Sequence, residues 1–420
     1  MAKGKSPVAD HAQQKIQETS LEAESRKMAG FDDIEKVLPK RWAVSEMGFL
    51  DKLTGRLGRR NPFYKPATPD KNIVTLLDTI AYRPVHPYPH SPQPWQAEVV
   101  AAIFYKGRKD VGDVVSTIAD TIGLDGDVGS NEEAKARIAE RIQPFIDEIA
   151  PAKSVEIAIP QTTGAPIRKM LGPSNASGIT SQTELTGGND ESDGTNVVFT
   201  APAFPEAKAH IHYAAPEGWG IISDVDDTIK VTQTTNPIGI LKTTFADEPQ
   251  PIAGMADLYK VVHDQFNNPV WFYLSASPYN LYPFLHEFIR THYQPGQLIL
   301  RDNSWMFLGG LLQSLTQGTQ AYKVDRLEKI HRWLPKRKFI CVGDSTQSDP
   351  ESYAEMYRKY PKGWIRAIYI RKVTDVSNME KKNEQARFDR AFEGVPRQVW
   401  KIFEQPHEIE EHLRNLAGET

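Results

Sequence analysis

The chain has 420 residues, of which 40% are hydrophobic and 25% are charged. This composition is typical of a soluble globular protein and excludes collagen, a coiled coil and a wholly disordered chain. The length predicts two domains plus tails. With 50 basic and 54 acidic residues the net charge is −4, so no overall positive field favours nucleic acid as a partner. The single cysteine, Cys341, cannot form an internal disulfide and favours a reducing compartment.

Residues 1–65 are interpreted as a polar arm. Its first 30 residues contain no apolar stretch, so no signal peptide is predicted and a cytoplasmic location is expected. The segment Arg41–Arg60 has apolar residues at roughly helical spacing beside several Lys and Arg residues. It predicts an amphipathic helix that either lies on an anionic membrane surface or packs on its own domain, and the sequence leaves both interpretations open.

Residues 66–204 predict a small β-rich domain with a helical insertion. Ser130 and Glu133 have the spacing of a capping box and precede a run of apolar residues at helical spacing, which marks the insertion. The stretch Gly172–Asn196 is rich in Ser, Thr, Gly and Asn, so it predicts a mobile excursion. The strand candidates are Ile73–Ala81, Ala97–Tyr105, Val155–Ile159 and Val197–Thr200.

Residues 205–420 have a different pattern, in which apolar strands alternate with amphipathic helices. This alternation predicts an α/β fold, a doubly wound parallel sheet with helices on both faces. Ligands of such sheets bind at the carboxyl ends of the strands, so polar residues there are the candidates for a functional site. The strand candidates are Gly220–Ser223, Val270–Ser275, Leu298–Leu300, Phe339–Val342 and Ile365–Ile370.

The first of these strands runs directly into Asp224, Asp226 and Thr228. Clustered carboxylates repel one another unless a cation neutralises them, and oxygen ligands suit a hard divalent ion. The pattern therefore predicts a metal-assisted site, although a cluster that caps a helix N-terminus is also compatible with it.

The second strand ends at Ser275. Ser277 suits the N-cap of the next helix and Pro278 its first turn, which leaves the Ser275 hydroxyl available to an anion. Lys323 is expected to open the helix Lys323–Trp333, where the helix dipole opposes a cation. Neutralising a bound phosphate would explain that placement, whereas a lone helical lysine more often faces solvent.

The fourth strand leads into Asp344 and Asp349. Asp349 precedes Pro350, so it suits the start of a helix as well as a metal site, and both interpretations stay open. No comparable structural reason exists for Asp344. Because the four clusters follow four parallel strands, their side chains are expected to converge.

Taken together, these motifs resemble those of the haloacid dehalogenase superfamily of magnesium-dependent phosphohydrolases. A closer resemblance, over roughly residues 205–405 with weaker similarity at Thr75–Phe104, is to the fungal actin-patch-associated phosphatidate phosphatases. That resemblance implies a haloacid dehalogenase-like sheet with a small flap, Ile229–Ile252, preceded by the smaller β-rich domain. The motifs are Asp224-x-Asp226-x-Thr228, Ser275, Lys323 and Gly343-Asp344-x4-Asp349.

The resemblance also implies roles for the candidate residues. Asp224 is the nucleophile that forms an aspartyl-phosphate, and Asp226 is the general acid and base. Ser275 and Lys323 bind phosphate oxygens, and Thr228 steadies the loop. The implied cofactor is Mg²⁺, held by Asp224, the backbone carbonyl of Asp226 and Asp344, with Asp349 orienting metal-bound water or capping its helix.

The expected reaction is hydrolysis of phosphatidate to diacylglycerol and phosphate at a membrane surface. The resemblance implies cytoplasmic, peripheral membrane association at cortical actin patches, with cytoskeletal or endocytic partners. A flap of roughly 24 residues is too short for a large cap domain, which favours a site open to bulky substrates. The alternatives are a phosphatase of another bulky phosphomonoester or phosphoprotein, and a membrane or cytoskeleton adaptor whose catalysis is incidental.

Overall fold

Two sheets organise the described part of the chain, and each is built by a different half of it. The computed structural model describes residues 18–38, 62, 64–85, 93–107, 111–124, 128–187, 191–302, 308–360 and 363–418.

The N-terminal arm contains two short helices, α1 (Ser20–Met28) and α2 (Phe31–Val37). Thr19 and Glu22 form a reciprocal capping box at the start of α1, which satisfies backbone N–H groups that the helix itself leaves free. Phe31 at the start of α2 is buried. The amphipathic segment predicted for residues 41–60 lies outside the described residues.

The first sheet has nine strands and runs in the order β1-β5-β8-β9-β3-β4-β2, with β6 paired to β5 and β7 paired to β4. Two helices, α3 (Gly112–Thr121) and α4 (Val128–Ile146), are inserted between β4 and β5. The strands are β1 (Lys65–Pro66), β2 (Asn72–Leu76), β3 (Thr79–Tyr82), β4 (Trp95–Tyr105), β5 (Lys153–Ile159), β6 (Ile167–Leu171), β7 (Ile179–Gly187), β8 (Asn196–Ala201) and β9 (Phe204–Ala214).

Two expectations for this half are wrong in detail. The predicted excursion at residues 172–196 contains β7, which pairs antiparallel with β4 from Ile179 to Gly187. Strand β9 also belongs to the first sheet, so this architecture continues past the predicted boundary between residues 204 and 205. The second sheet begins at Trp219.

The second sheet has six parallel strands in the order β12-β11-β10-β13-β14-β15, which confirms the α/β class with a parallel sheet. Its strands are β10 (Trp219–Asp224), β11 (Val270–Pro278), β12 (Gln297–Arg301), β13 (Lys338–Asp344), β14 (Ile365–Arg371) and β15 (Trp400–Phe403). Its helices are α5 (Pro237–Leu241), a π-helix (Lys242–Ala246), α6 (Met255–Gln265), α7 (Tyr282–His292), α8 (Leu308–Thr316), α9 (Thr319–Trp333), α10 (Asp349–Lys359), α11 (Gln385–Ala391) and α12 (Glu410–Ala417).

Helices cover both faces of this sheet because successive strand residues point to opposite sides. Ile221 of β10 packs into a core shared with α6, α7, α8 and α12. Its neighbour Ile222 packs into a second core with α9, α10 and α11. All six residues of β10 are buried, as expected for a central parallel strand.

The strand order reverses at β10, since β11 and β12 follow on one side of it and β13 to β15 on the other. At such a reversal the connections leave the sheet in opposite directions and open a crevice outside the carboxyl ends of the strands. Asp224 and Asp344 end the two strands that flank this crevice.

The helical insertion of the first half contacts the segment 229–252, between β10 and α6, that was predicted as a flap. Arg141 of α4 donates to the backbone carbonyls of Thr244 and Asp247. The rings of Phe145 and Phe245 pack edge to face at 5.8 Å. The first half of the chain therefore supports this segment directly.

Candidate active site

Five predicted catalytic side chains meet at the carboxyl edge of the second sheet, and each is at most 2% exposed: Asp224, Asp226, Thr228, Ser275 and Lys323. The chain leaves β10 through a turn in which the N–H groups of Ile229 and Lys230 donate to the carbonyl of Val225. This turn directs the Asp224, Asp226 and Thr228 side chains toward one another.

Asp226 is held by two hydroxyl donors. Ser275 Oγ donates to its Oδ2 at 2.5 Å, and Thr232 Oγ1 donates to its Oδ1 at 2.9 Å. The side chain of Ser275 thus has a partner inside the site, where the sequence had predicted only a free hydroxyl. The predicted helix start at Ser277 is wrong, because β11 continues through Pro278 and α7 begins at Tyr282 after a single 3₁₀ turn.

Lys323 lies between two carboxylates. Its Nζ is 2.7 Å from Asp224 Oδ1 and forms a second ion pair with Asp349. Burial lowers the pKa of Lys323, but the facing carboxylates of Asp224 and Asp349 raise it by a larger amount. The net shift is therefore upward, and the side chain stays charged. The helix that carries Lys323 begins at Thr319, so the expectation that Lys323 opens the helix is wrong.

Asp224, Asp344 and Asp349 form a buried acidic cluster in which one oxygen from each lies within 4.8 Å of the others. Thr228 Oγ1 is 3.1 Å from Asp224 Oδ2 and 2.9 Å from Asp344 Oδ2. Burial and then the charge of Asp349 raise the pKa of Asp224, while Lys323 opposes this shift. Burial also raises the pKa of Asp349, to about 6.

These properties fit a divalent cation. A cluster of three carboxylates with a single lysine retains excess negative charge in a buried site, and a bound cation removes that cost. Asp224 Oδ1 accepts no aligned hydrogen bond from any described residue despite its proximity to Lys323. Carboxylate oxygens are the ligands that hard divalent ions prefer. The side chain of Asp226 lies outside this cluster.

Asp349 is positioned by the site rather than by its own helix. It is the first residue of α10, and the N-cap is Ser348. Its Oδ2 accepts the backbone N–H of Asp344 at 3.1 Å, and its Oδ1 accepts from Lys323. A Cβ at Gly343 would lie 2.6 Å from both Cβ and Cγ of Asp349, so only glycine allows this close approach.

Sequence reasoning missed Asp227, which organises the loop. Its backbone has φ = 62°, and its carboxylate accepts three backbone N–H groups, from residues 232 to 234, and one hydroxyl. Arg371 of β14 donates to its carbonyl at 2.9 Å. The available signal was a second aspartate beside Asp226 followed by a threonine-rich stretch, which is typical of side chains that bond to nearby backbone.

Known proteins are similar in sequence to the part of the chain that carries these residues. Residues 219–372 match the family model described as "Phosphatidate phosphatase APP1, catalytic domain". A protein of Saccharomyces cerevisiae named phosphatidate phosphatase APP1 is 34% identical over 163 residues, which are 38% of this chain and 27% of that protein. An uncharacterized protein of Schizosaccharomyces pombe is 32% identical over 161 residues, 37% of this chain and 25% of its own length.

The matched region thus spans about a quarter of each relative. It begins with β10 and ends just after β14, so it includes every catalytic and acidic residue described above. No helix among the described residues has both the length and the apolar character needed to cross a bilayer. By sequence, the segment 219–372 is therefore similar to the catalytic domain of the phosphatidate phosphatase APP1 family.

Proposed function

We propose that this protein is a magnesium-dependent phosphatidate phosphatase that releases phosphate and leaves diacylglycerol. The observation that carries the proposal is the convergence of Asp224, Asp226 and Lys323 at the edge of the sheet, inside the region that matches the catalytic-domain family. The choice of lipid rests on the name of the yeast relative and on the resemblance of the motifs.

In the first step the Asp224 carboxylate attacks the phosphorus atom of the monoester. A bond forms between an Asp224 oxygen and phosphorus, and the bond from phosphorus to the glycerol oxygen breaks. Asp226 donates its proton to the departing oxygen, so diacylglycerol leaves as a neutral alcohol. Its contacts with Ser275 and Thr232 hold the Asp226 carboxyl group in place for this transfer.

In the second step the Asp226 carboxylate takes a proton from water. The water oxygen attacks the phosphorus atom of the aspartyl-phosphate, the bond to Asp224 breaks, and inorganic phosphate is released. Asp226 thereby regains its proton and Asp224 its free carboxylate, so both groups return to their starting states.

Lys323 and Ser275 are the proposed ligands of the phosphate oxygens. Both already lie within hydrogen-bonding reach of the reacting carboxylates, and their positive charge and hydroxyl dipole stabilise charge that develops on the phosphate. The Thr228 hydroxyl contacts the carboxylates of Asp224 and Asp344 and fixes their positions relative to each other. Asp224, the backbone carbonyl of Asp226, Asp344 and Asp349 would hold Mg²⁺, which would offset the repulsion between the carboxylate nucleophile and the phosphate.

We also infer that the protein works at the cytoplasmic surface of a membrane, as a peripheral protein. Association with cortical actin patches and with cytoskeletal or endocytic partners is part of the same proposal and rests on the family resemblance alone.

Phosphate release from phosphatidate in mixed detergent micelles tests the proposal. Wild type should release phosphate only with Mg²⁺, and Asp224→Asn and Asp226→Asn should be inactive but folded. Asp257→Asn, which removes an exposed carboxylate from the first turn of α6, should retain activity. An active, folded Asp224→Asn variant refutes the mechanism, and hydrolysis of a soluble phosphomonoester without hydrolysis of phosphatidate refutes the lipid assignment.

A further inference from the structure

The catalytic side chains are closed off from solvent in this structure. Asp224, Asp226, Ser275 and Lys323 are each at most 2% exposed. A cavity lined by Glu22, Thr319 and Ser348 has none of these four side chains in its lining and has a volume of about 30 Å³. Such a space admits one or two water molecules and no lipid headgroup. A bulky substrate therefore reaches Asp224 only after some covering element moves away.

Helix α1 is one of the covering elements. The carboxylate of Glu22 accepts the backbone N–H groups of Gly318 and Thr319 at 3.1 and 2.9 Å, and the Thr319 hydroxyl at 2.6 Å. It also accepts the hydroxyl of Ser348 at 3.2 Å. Thr319 starts the helix that carries Lys323, and Ser348 precedes Asp349. Glu22 thus joins the two helices that supply the rim of the site.

The attachment of α1 is almost entirely polar. Its buried residues are Glu22 and Arg26, both charged. Arg26 donates to Thr316 of α8 and to Glu35 of α2, and its guanidinium lies 4.9 Å from the ring centre of Phe31. Charged contacts that are replaced by water on release contribute little net stability, so this helix is held weakly compared with an element that buries apolar area.

Among the described residues, the segment 229–252 is a second element near the site, and it is fixed more firmly. Four hydrogen bonds to the Asp227 carboxylate anchor its first part. Ile240, Leu241 and Phe245 are fully buried in its second part. Its release would expose this apolar area to water, which is costly for each large side chain, so of these two elements α1 opens first.

We propose that α1 is an intramolecular cover of the active site, closed by the Glu22 carboxylate and opened when that carboxylate leaves the N-terminus of α9. The inference rests on the proposed phosphatase function. The donors that Glu22 occupies would then be free, at the rim of the site, for an anion such as the phosphate of the substrate or of a neighbouring lipid. The equilibrium between closed and released α1 thus determines the fraction of molecules whose active site is accessible to substrate.

The test compares three full-length variants with wild type. Glu22→Gln removes the charge that closes the cover, and Arg26→Gln weakens the same cover through a different contact. Glu24→Gln is the matched control, because Glu24 lies on the same helix but is half-exposed and pairs with Lys381. Thermal unfolding of each variant confirms that the fold is retained.

Two measurements are made on each protein. Hydrogen exchange of the backbone amides at residues 318 and 319 reports the contact with Glu22 directly, and phosphate release from phosphatidate micelles reports access to the site. Loss of the charge-assisted hydrogen bonds should speed both by about tenfold in Glu22→Gln, the factor that corresponds to about 1.4 kcal/mol. Arg26→Gln should change in the same direction, and Glu24→Gln should match wild type.

Unchanged exchange in both variants, or faster exchange without faster phosphate release, overturns the cover. If no protein hydrolyses phosphatidate or a soluble phosphomonoester, the phosphatase function fails instead. The cover is then tested by calorimetric binding of orthovanadate in the presence of Mg²⁺. Tighter binding by Glu22→Gln than by wild type supports the cover, and equal binding overturns it.

Discussion

The substitution Asp349→Asn separates two roles for Asp349. If this residue serves its helix, loss of the charge from the first turn of α10 lowers stability by about 1 kcal/mol. If it serves as part of an acidic cation site, the same substitution relieves repulsion and raises the stability of the metal-free protein. The structure favours the second outcome, because the Asp349 carboxylate is buried within 4.8 Å of oxygens of Asp224 and Asp344, and its pKa is raised overall despite the ion pair with Lys323. The N-cap of the helix is Ser348.

The size of this effect follows from the pKa. Burial raises the pKa of Asp349 from 3.8 to about 6, so the unfolded chain loses this proton at a lower pH than the folded one. The contribution of this carboxylate to stability therefore falls as pH rises from about 4 to 6, and its full cost, on the order of a few kcal/mol, is present at pH 7. Asparagine carries no charge at any of these pH values. We therefore expect Asp349→Asn to be more stable than wild type by about that amount at pH 7 and nearly equal to it at pH 4.

Urea unfolding in EDTA at pH 4 and pH 7 measures this difference, with Asp257→Asn as a control for loss of a first-turn charge at an exposed position. Addition of Mg²⁺ should then stabilise wild type and have less effect on Asp349→Asn, since a cation that binds only the folded state stabilises it. An Asp349→Asn variant that is less stable than wild type at both pH values refutes the reasoning and restores the helix-start interpretation.

Three further predictions concern a histidine of β9 and two residues that support the site. Burial lowers the pKa of His212 to about 4. The wild-type protein should therefore lose about 3 kcal/mol of stability as the pH falls from 6.5 to 4, and His212→Gln should not show this loss. Urea unfolding across that pH range measures the difference. Gly343→Ala should displace Asp349 and reduce Mg²⁺ binding measured by calorimetry, whereas Gly107→Ala, with no atom within 4 Å of the new Cβ, should not. Arg141→Ala leaves two backbone carbonyls of the segment 229–252 without this donor, so hydrogen exchange of the backbone amides at residues 243–247 should become faster. Unchanged exchange at these residues would contradict the anchoring role of Arg141.

The site strands of the second half were predictable because each is a short apolar run that ends at a polar residue. For β10 and β13 the run stops at Asp224 and Asp344, and the parallel arrangement brings these ends together. The same reasoning placed Ser275 at the site, whereas Lys323 was assigned to it because the helix dipole opposes a cation near a helix N-terminus. A site residue can therefore be predicted from local sequence when its position is determined by the end of a strand.

The errors have a common physical origin in contacts that are distant along the chain. Strand β7 lies in a stretch rich in Ser, Thr and Gly, and its pairing with β4 supplies the stability that its local propensity lacks. Helix α9 starts at Thr319 after Gly318, which has φ = 61° and offers no side-chain cap, so no local signal preceded Lys323. Strand β9 was assigned to the wrong half because apolar alternation does not indicate which sheet a strand joins.

The match to the catalytic-domain family covers residues 219–372, yet the site depends on segments that lie before this region. Arg137 and Arg141 of α4 donate hydrogen bonds to backbone carbonyls within residues 244–247 of the segment 229–252. Helix α1, on the N-terminal side of the first sheet, places Glu22 against the helices that carry Lys323 and Asp349. The groups proposed for the chemistry thus lie inside the matched region, whereas contacts that bear on access to them come from outside it. Two proteins with the same catalytic motifs can therefore differ in substrate access through residues that a comparison of those motifs does not reveal.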